Sequence, residues 1–353
     1  MKIEKLSLKN FKNIEFLEIF PDEKMNVICG ENAQGKTNII ESLWLFSGAK
    51  SFKGTKDSDF IKFSKKNSQI ECDFEFSKVK NNAKILFSQK KEAYFNDKKL
   101  PSVSNLAGNF NAIVFSPTDL SLIKDGPAAR RKFLDTAIGG IYPNYIEILR
   151  NYLRAVTQRN EIIKNYKYDT SLCVLLDVFE KEIADSGRKI IKYRKEYLKL
   201  LFKYIPEIYF GLSNGKEKIM SVYVANSCDN IEEQLKESRN KDSYLGATSV
   251  GPHRDDIKFT LNDVDLRNFG SQGQQRSVAL ALKFATSGVI KEISGEYPIC
   301  LLDDVMSELD VSRQNYILNH IEGWQSFITC CDPSNVKNLN KGKIINIKNG
   351  SVI

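Results

Sequence analysis

The stretch GENAQGKT, Gly30 to Thr37, decides how the chain is read. It fits the pattern G-x-x-x-x-G-K-[ST], which cradles phosphate only where a strand feeds it into a helix N-terminus. Both flanks comply: the apolar run Val27-Ile28-Cys29 precedes it, and Ile39, Ile40, Leu43, Trp44 and Phe46 recur at helical spacing behind it. Gly30 and Gly35 let several backbone N–H groups converge where a Cβ would obstruct, so the loop, with Glu31, Asn32, Ala33 and Gln34 between them, becomes an anion nest. Lys36 is expected to reach the outer phosphates as a point charge and the Thr37 hydroxyl to join a Mg²⁺ shell, with the helix dipole favouring the phosphates. A plain glycine-containing turn would need neither the lysine nor the two flanks.

The 353 residues allow two or three domains, or one domain split by an insertion, and a large core. No uninterrupted apolar run is long enough to cross a bilayer, so no membrane span is expected. Met1-Lys2-Ile3-Glu4-Lys5 carries charges where a signal peptide needs an apolar core, and the expectation is a cytoplasmic protein. The seven cysteines, Cys29, Cys72, Cys173, Cys228, Cys300, Cys330 and Cys331, are odd in number and contain no C-x-x-C pair, which argues against a disulfide framework or a zinc site. Cys29 and Cys300 lie in apolar strand candidates and read as small core residues. The net charge is +8, and residues 124–203 hold 17 Lys and Arg against ten Asp and Glu. Such concentration suggests a polyanion partner, although a solvated helical surface has the same composition.

Residues 1–20 read as two strands joined near Asn10-Phe11-Lys12-Asn13, and 25–29 as a third that enters the phosphate loop. Strand candidates follow at Gln69–Phe76 and Asn82–Ser88, with lysines at 50, 53, 56, 62, 65 and 66 that could either touch phosphates or keep exposed edges soluble. Asn111–Phe115 is a further strand, and the Gly126-Pro127 break opens a helical stretch. From there the pattern changes. Ile141, Tyr145, Ile148, Tyr152, Ala155, Arg159, Ile162 and Tyr166 step alternately by four and three, a heptad seam interrupted by Arg159. A second seam runs Leu176, Ile183, Gly187, Ile190, Arg194, Tyr197, Leu201 and Tyr204, with Glu180 interrupting it. Two such helices, joined near Lys167 to Ser171, would pack most simply as an antiparallel hairpin, each about 40 Å long at 1.5 Å per residue. Pro206, Gly211 and Asn214-Gly215 are expected to end it; an ordinary helical subdomain is the alternative. Residues 219–225 and 243–260 look strand-like around GATSVGPHRDD, in which His253 reads as a structural or hydrogen-bonding residue.

Ser271-Gln272-Gly273-Gln274-Gln275 then opens a helical run, a second anion-binding end in the same chain. Ile299-Cys300-Leu301-Leu302 reads as a buried strand that ends in Asp303-Asp304. A carboxylate there can hold Mg²⁺, and its neighbour can orient or deprotonate an attacking water. Ser307-Glu308-Leu309-Asp310 and a helix follow, and Phe327–Cys330 is read as the final core strand.

Together these four features, the phosphate loop, the SQGQQ string, the LLDD strand and the SELD string, resemble the ABC-type ATPase head shared by transporters and chromosome-maintenance proteins. The resemblance covers most of the chain. Within that class, NFGSQGQQRSVALALK, GPHRDD, LLDDVMSELD and GPAARRKFLD look like motifs of the RecF family of bacterial recombinational repair ATPases. The resemblance implies an α/β fold, an ABC-type P-loop ATPase head with mixed sheets and an inserted α-helical arm; the division expected is head 1–128, arm 129–214 and head 215–353.

It further implies a head that dimerises on ATP, the nucleotide held between Gly30–Thr37 of one copy and Ser271, Gly273 and Gln274 of the other. On that reading Lys36 and Thr37 hold phosphate and Mg²⁺, Asp303 the metal and Asp304 the water, while Thr329 falls where transporter heads place a switch histidine. The family is implicated in binding duplex DNA near single-stranded gaps and, with RecO and RecR, in helping RecA load there, which implies a nucleoid-associated protein.

Departures are visible. Asp304 stands where many such heads have glutamate, which leads to an expectation of slow turnover; Lys12 stands for a frequent arginine, Thr118 for an acidic residue and Asp125 for a glycine; and no clear glutamine follows Phe115. Three other readings compete. A transporter subunit would bring its serine much nearer the loop than the 234 residues that separate Thr37 from Ser271. A long-armed chromosome organiser would need coiled coils of hundreds of residues, and a nucleotide-binding scaffold would lack DNA binding that depends on ATP.

Overall fold

The structure is a computed structural model that describes residues 1–166, 169–227, 229–331 and 342–353. Two of the sequence expectations, the link that starts at Lys167 and the thiol of Cys228, fall wholly or partly outside them. The chain divides into two compact units. One comprises Met1–Leu120, Glu207–Lys216 and Arg276–Ile353, the other Ser121–Pro206 and Glu217–Gln275. The segment 129–214 therefore falls mostly in the second unit, together with residues beyond it.

In chain order the first unit begins with strands β1 (Lys2–Phe11), β2 (Ile14–Ile19) and β3 (Met25–Cys29), then helix α1 (Lys36–Leu45). Strands β4 (Ser68–Phe76), β5 (Val79–Phe87), β6 (Glu92–Phe95), β7 (Lys98–Lys99) and β8 (Ala112–Phe115) follow. The second unit holds helices α2 (Ser121–Lys124), α3 (Pro127–Ile141), α4 (Pro143–Tyr166) and most of α5 (Cys173–Leu212). It continues with β9 (Ile219–Val224), α6 (Ile231–Glu237), α7 (Arg239–Leu245), β10 (Asp256–Leu261), β11 (Val264–Asp265) and α8 (Leu266–Phe269). Helix α9 (Gln272–Ser294) leads back to the first unit, which closes with β12 (Ile299–Leu302), α10 (Val311–His320), β13 (Ser326–Cys330), β14 (Gly342–Lys348) and β15 (Ser351–Val352).

Two six-stranded sheets build the first unit. One is antiparallel, in the order β2-β1-β4-β5-β6-β7; the other runs β15-β14-β3-β13-β12-β8, parallel from β14 to β8 with β15 antiparallel at its edge. Their inner faces share one apolar core in which Ile3, Leu8, Ile70 and Phe74 of the first sheet meet Ile28, Val114, Leu301 and Phe327 of the second, with Ile39, Ile40 and Leu43 of α1. The buried Gln325 carboxamide ties the sheets by polar contacts: it accepts from the Ile3 N–H at 2.6 Å and donates to the carbonyls of Ile3 and Asp22 at 2.9 and 2.8 Å. Because the strands around β3 are covered on both faces, they read as continuous apolar runs.

In the second unit α4 and α5 pack antiparallel. Gly187 of α5 lies against the Tyr152 ring of α4, and Arg159 of α4 donates to Glu180 of α5 at 3.0 Å, both side chains fully buried. The two residues that interrupt the seams are thus each other's partners. Buried positions drift from the strict heptad, with Ile163 buried where Ile162 is half-exposed, as an undistorted 3.6-residue turn requires.

Four expectations need correction. The two helices are unequal: α4 has 24 residues and α5 has 40, about 36 and 60 Å at 1.5 Å per residue. Helix α5 also runs through Pro206 to Leu212, because a proline inside a helix removes one hydrogen bond without obliging the chain to stop. Residues 243–255 are not strand: α7 and a Gly/Pro-containing loop precede β10, which starts at Asp256, and β13 is not the last core strand, since β14 joins β3 beyond it.

Candidate nucleotide site

Gly30–Thr37 leaves β3 and enters α1 at Lys36. Gly35 has φ +108°, a left-handed value that favours glycine, and a Cβ there would stand 3.0 Å from the Asn13 carboxamide. Ala33 also has positive φ, and Glu31, Asn32 and Ala33 form the exposed crest. Gly30 admits no side chain: a Cβ would come 2.3 Å from the Ile347 carbonyl oxygen of β14. The C-terminal hairpin also grips Gln34, whose Oε1 accepts from the Asn349 N–H at 2.5 Å and whose carbonyl accepts from the Gly350 N–H at 3.1 Å.

Lys36 is buried, and its Nζ curls back to donate to the carbonyls of Gly30 at 2.6 Å and Glu31 at 2.9 Å. The Thr37 hydroxyl donates to Asp303 Oδ1 at 2.8 Å, which joins α1 to the end of β12. Thr329 of β13 donates to the same oxygen at 3.2 Å and accepts from the Asp304 N–H at 2.9 Å. Burial pushes the Asp303 carboxyl up, against the opposing pull of the Thr37 hydrogen bond and the Lys53 charge. Asp304 is half-buried and has φ +54°, an uncommon conformation for a residue with a side chain and one that recurs at functional sites.

Mg²⁺ usually binds through one or two carboxylates plus substrate phosphates, and the oxygen donors Thr37 and Asp303 fit that habit. Among the described residues no group of three or more His, Cys, Asp or Glu could hold a metal alone. No described helix is long and apolar enough to cross a membrane.

Ser271, Gly273 and Gln274 belong to the second unit and open α9. Ser271 and Gly273 are exposed. Ser271 and Gln274 form a reciprocal capping box: the Ser271 N–H donates to Gln274 Oε1 at 2.7 Å, and the Gln274 N–H to Ser271 Oγ at 3.2 Å. Gln274 Nε2 also donates to Glu217 at 2.5 Å.

Neighbours of the loop that sequence reasoning did not single out are Asn13, which accepts from Asn38 Nδ2 at 2.8 Å, and Cys331, whose sulphur lies 3.7 Å from Lys36 Nζ. No local pattern marks either.

In the 124–203 segment, Arg130 pairs with Asp256, Arg159 with Glu180 and Asp242, and Arg194 with Asp135 and Asp255. These three arginines are buried within the second unit, each matched by carboxylates. Exposed Arg188, Lys192, Lys195, Lys199 and Lys203 recur every three or four residues along α5 and so share one face of it.

The RecF/RecN/SMC N terminal domain family matches residues 2–352 of this chain. The DNA replication and repair protein RecF of Clostridium acetobutylicum is 40% identical over 362 residues, covering all of this chain and 99% of its own; that of Clostridium kluyveri is 41% identical with the same coverage. A solved structure described as the recombination mediator protein RecF with ATP, in the RecFOR pathway, superposes with a TM-score of 0.91 at 34% identity, covering all of this chain and 97% of its own. An Smc head from Pyrococcus furiosus, at 16% identity and a TM-score of 0.58 over 99% of this chain and 95% of its own, shares the fold.

Proposed function

The chain belongs to the RecF/RecN/SMC N-terminal domain family, and from its full-length likeness to RecF proteins we propose that it is an ATP-dependent DNA-binding protein of recombinational repair. ATP and Mg²⁺ are its cofactors. The triphosphate lies in the Gly30–Thr37 loop with Lys36 on its outer phosphates, Thr37 and Asp303 hold the metal, and Asp304 orients the attacking water. Mg²⁺ supplies charge neutralisation between the phosphates. Thr329 holds the strand-end carboxylates in register and senses their state.

Ser271, Gly273 and Gln274 of a second copy close over the same nucleotide, so ATP binding and homodimerisation are one event, and slow hydrolysis stimulated by DNA reverses it. The arm, read as 129–214 between head segments 1–128 and 215–353, carries the exposed basic row of α5 to double-stranded DNA near single-strand gaps. RecO and RecR are the partners through which the dimer helps RecA load, in the cytoplasm at the nucleoid.

The observation that carries this reading is the Thr37–Asp303 hydrogen bond of 2.8 Å. Residues 266 positions apart set a hydroxyl and a carboxylate side by side at the base of a phosphate loop, the arrangement that P-loop ATPases use for Mg²⁺. Sedimentation with ATP, ADP or no nucleotide tests it, with Lys36→Met and Ser271→Arg beside the parent protein. The parent protein should dimerise with ATP alone, Lys36→Met should bind no nucleotide, and Ser271→Arg should bind ATP yet stay monomeric. An ATP-induced dimer of Ser271→Arg would refute the shared site. ATP binding without any effect on DNA affinity would favour a nucleotide-binding scaffold.

A further inference from the structure

Three thiols stand around the root of the phosphate loop, and the proposed reaction uses none of them. Cys29 ends β3 and precedes Gly30; Cys330 ends β13 and pairs with Cys29 in the parallel ladder. Their sulphurs are 3.2 Å apart, in a small apolar cluster with Val27, and the two residues are 2% and 7% exposed. Cys331 follows, exposed, with its sulphur 3.1 Å from Asn32 Oδ1 and 3.7 Å from Lys36 Nζ. Neighbouring strands lie about 4.8 Å apart. That spacing is inside the range of about 4.4–6.8 Å between Cα atoms that a disulfide accepts, and paired residues present their side chains to one face.

We propose that Cys29 and Cys330 are a reversible oxidation site for peroxides, whose disulfide form binds ATP more weakly. One thiol attacks the peroxide, gaining an oxygen as a sulfenic acid and releasing water from hydrogen peroxide. The second thiol then attacks that sulphur, forming the S–S bond and releasing a second water, so two thiols and one peroxide give one disulfide and two waters. Thiol reductants reverse the step by exchange.

The consequence for the loop follows from its lack of slack. Bond formation brings the sulphurs from 3.2 Å to about 2.05 Å and cross-links the ends of β3 and β13, so Cys29 no longer adjusts independently of Cys330. Gly30, the next residue, already lies against the Ile347 carbonyl, and its own carbonyl accepts from Lys36 Nζ at 2.6 Å. The cross-link therefore restrains the root of the loop, and through Gly30 the lysine and the loop amides, against adjusting to a triphosphate. Burial raises the Cys330 thiol, so the exposed Cys331 reacts first and has to be removed for the pair to be read separately.

The inference rests on the ATP reading of Gly30–Thr37. Its test is peroxide titration of full-length Cys331→Ser, followed by peptide mass mapping and by equilibrium binding of a fluorescent ATP analogue before and after dithiothreitol. The expected result is a Cys29–Cys330 linked peptide, at least tenfold weaker ATP binding, recovery on reduction, and insensitivity in both Cys330→Ser and Cys330→Val. A linked peptide with unchanged affinity would overturn the proposal, as would oxidised protein with no such peptide. Failure of the reduced protein to bind ATP would instead sink the nucleotide-site reading, because the mapping needs no nucleotide.

Discussion

At the scale of single residues, Thr329 shows what the β12 end requires. Two carboxylates follow one another there. Asp303 is buried against hydroxyls, and Asp304 is held at a positive φ by an N–H that the Thr329 hydroxyl accepts. The same hydroxyl donates to Asp303, so one side chain fixes both. Thr329→Val keeps the shape and removes both hydrogen bonds. Each is worth about 0.5–1.5 kcal/mol, so the turnover of bound ATP should fall roughly tenfold or more while ATP affinity stays within a few-fold. Single-turnover hydrolysis against nucleotide binding separates the two effects. An equal loss in both would make Thr329 a packing residue only. The pattern and flanks of Gly30–Thr37 were legible in the sequence, and so was a strand that ends in two aspartates. That Thr37 and Thr329 meet on one carboxylate oxygen was not, because nothing in three separate segments records their mutual distance.

At the scale of elements, the second unit is held by polar groups at positions that a heptad assigns to apolar ones. Arg159 donates to Glu180, to Asp242 at 2.7 Å, to Thr248 at 3.0 Å and to the Leu235 carbonyl at 3.0 Å, all out of solvent. Removing Arg159 takes from buried Asp242 the cation that pairs with it, whereas Glu180 keeps Arg239 at 2.5 Å. Arg159→Leu should therefore cost about 3–5 kcal/mol, and adding Glu180→Leu should not restore stability because Asp242 remains; denaturant unfolding measures both.

His253 uses both ring nitrogens. Nε2 donates to the Thr248 carbonyl at 3.0 Å, and Nδ1 accepts from the Tyr152 hydroxyl at 2.5 Å, which fixes the neutral form. Burial, with Arg254 and Arg131 nearby, pulls it down to about 4 from 6.5. The unfolded chain therefore takes up a proton between those values and the folded chain does not. The contribution of His253 is full above pH 6.5 and lost as pH falls toward 4, at most about 3 kcal/mol. His253→Gln should flatten that acid limb in pH-dependent thermal unfolding. A structural role for this residue was readable from the absence of a metal partner, but its two partners come from α4 and from the loop before β10, which only folding unites.

Across the whole molecule the surplus of positive charge divides into two kinds. Arg130, Arg159 and Arg194 are buried among carboxylates, whereas Arg188, Lys192, Lys195, Lys199 and Lys203 line an exposed face of α5. Composition counts both kinds alike. Buried, paired arginines release no counterions; on the proposed reading, in which the exposed row meets DNA, Lys192→Glu with Lys199→Glu should weaken duplex binding by tenfold or more and lower the salt slope by roughly two, with ATP affinity intact. An unchanged slope would move the DNA interface elsewhere.

What the sequence alone determined is what short-range spacing encodes: the strand, loop and helix around Gly30–Thr37, the Ser271-x-x-Gln274 start of α9, the two seams and their polar interruptions. These are set by backbone geometry over a few residues, so they survive without knowledge of the rest. The tertiary structure alone decided the pairings between distant segments: Arg159 with Glu180, Cys29 beside Cys330, Thr37 against Asp303, and β14 against the phosphate loop. Sheet order brings such residues together, and sheet order arises from burying apolar faces on one another, a property of the whole chain that no single window contains.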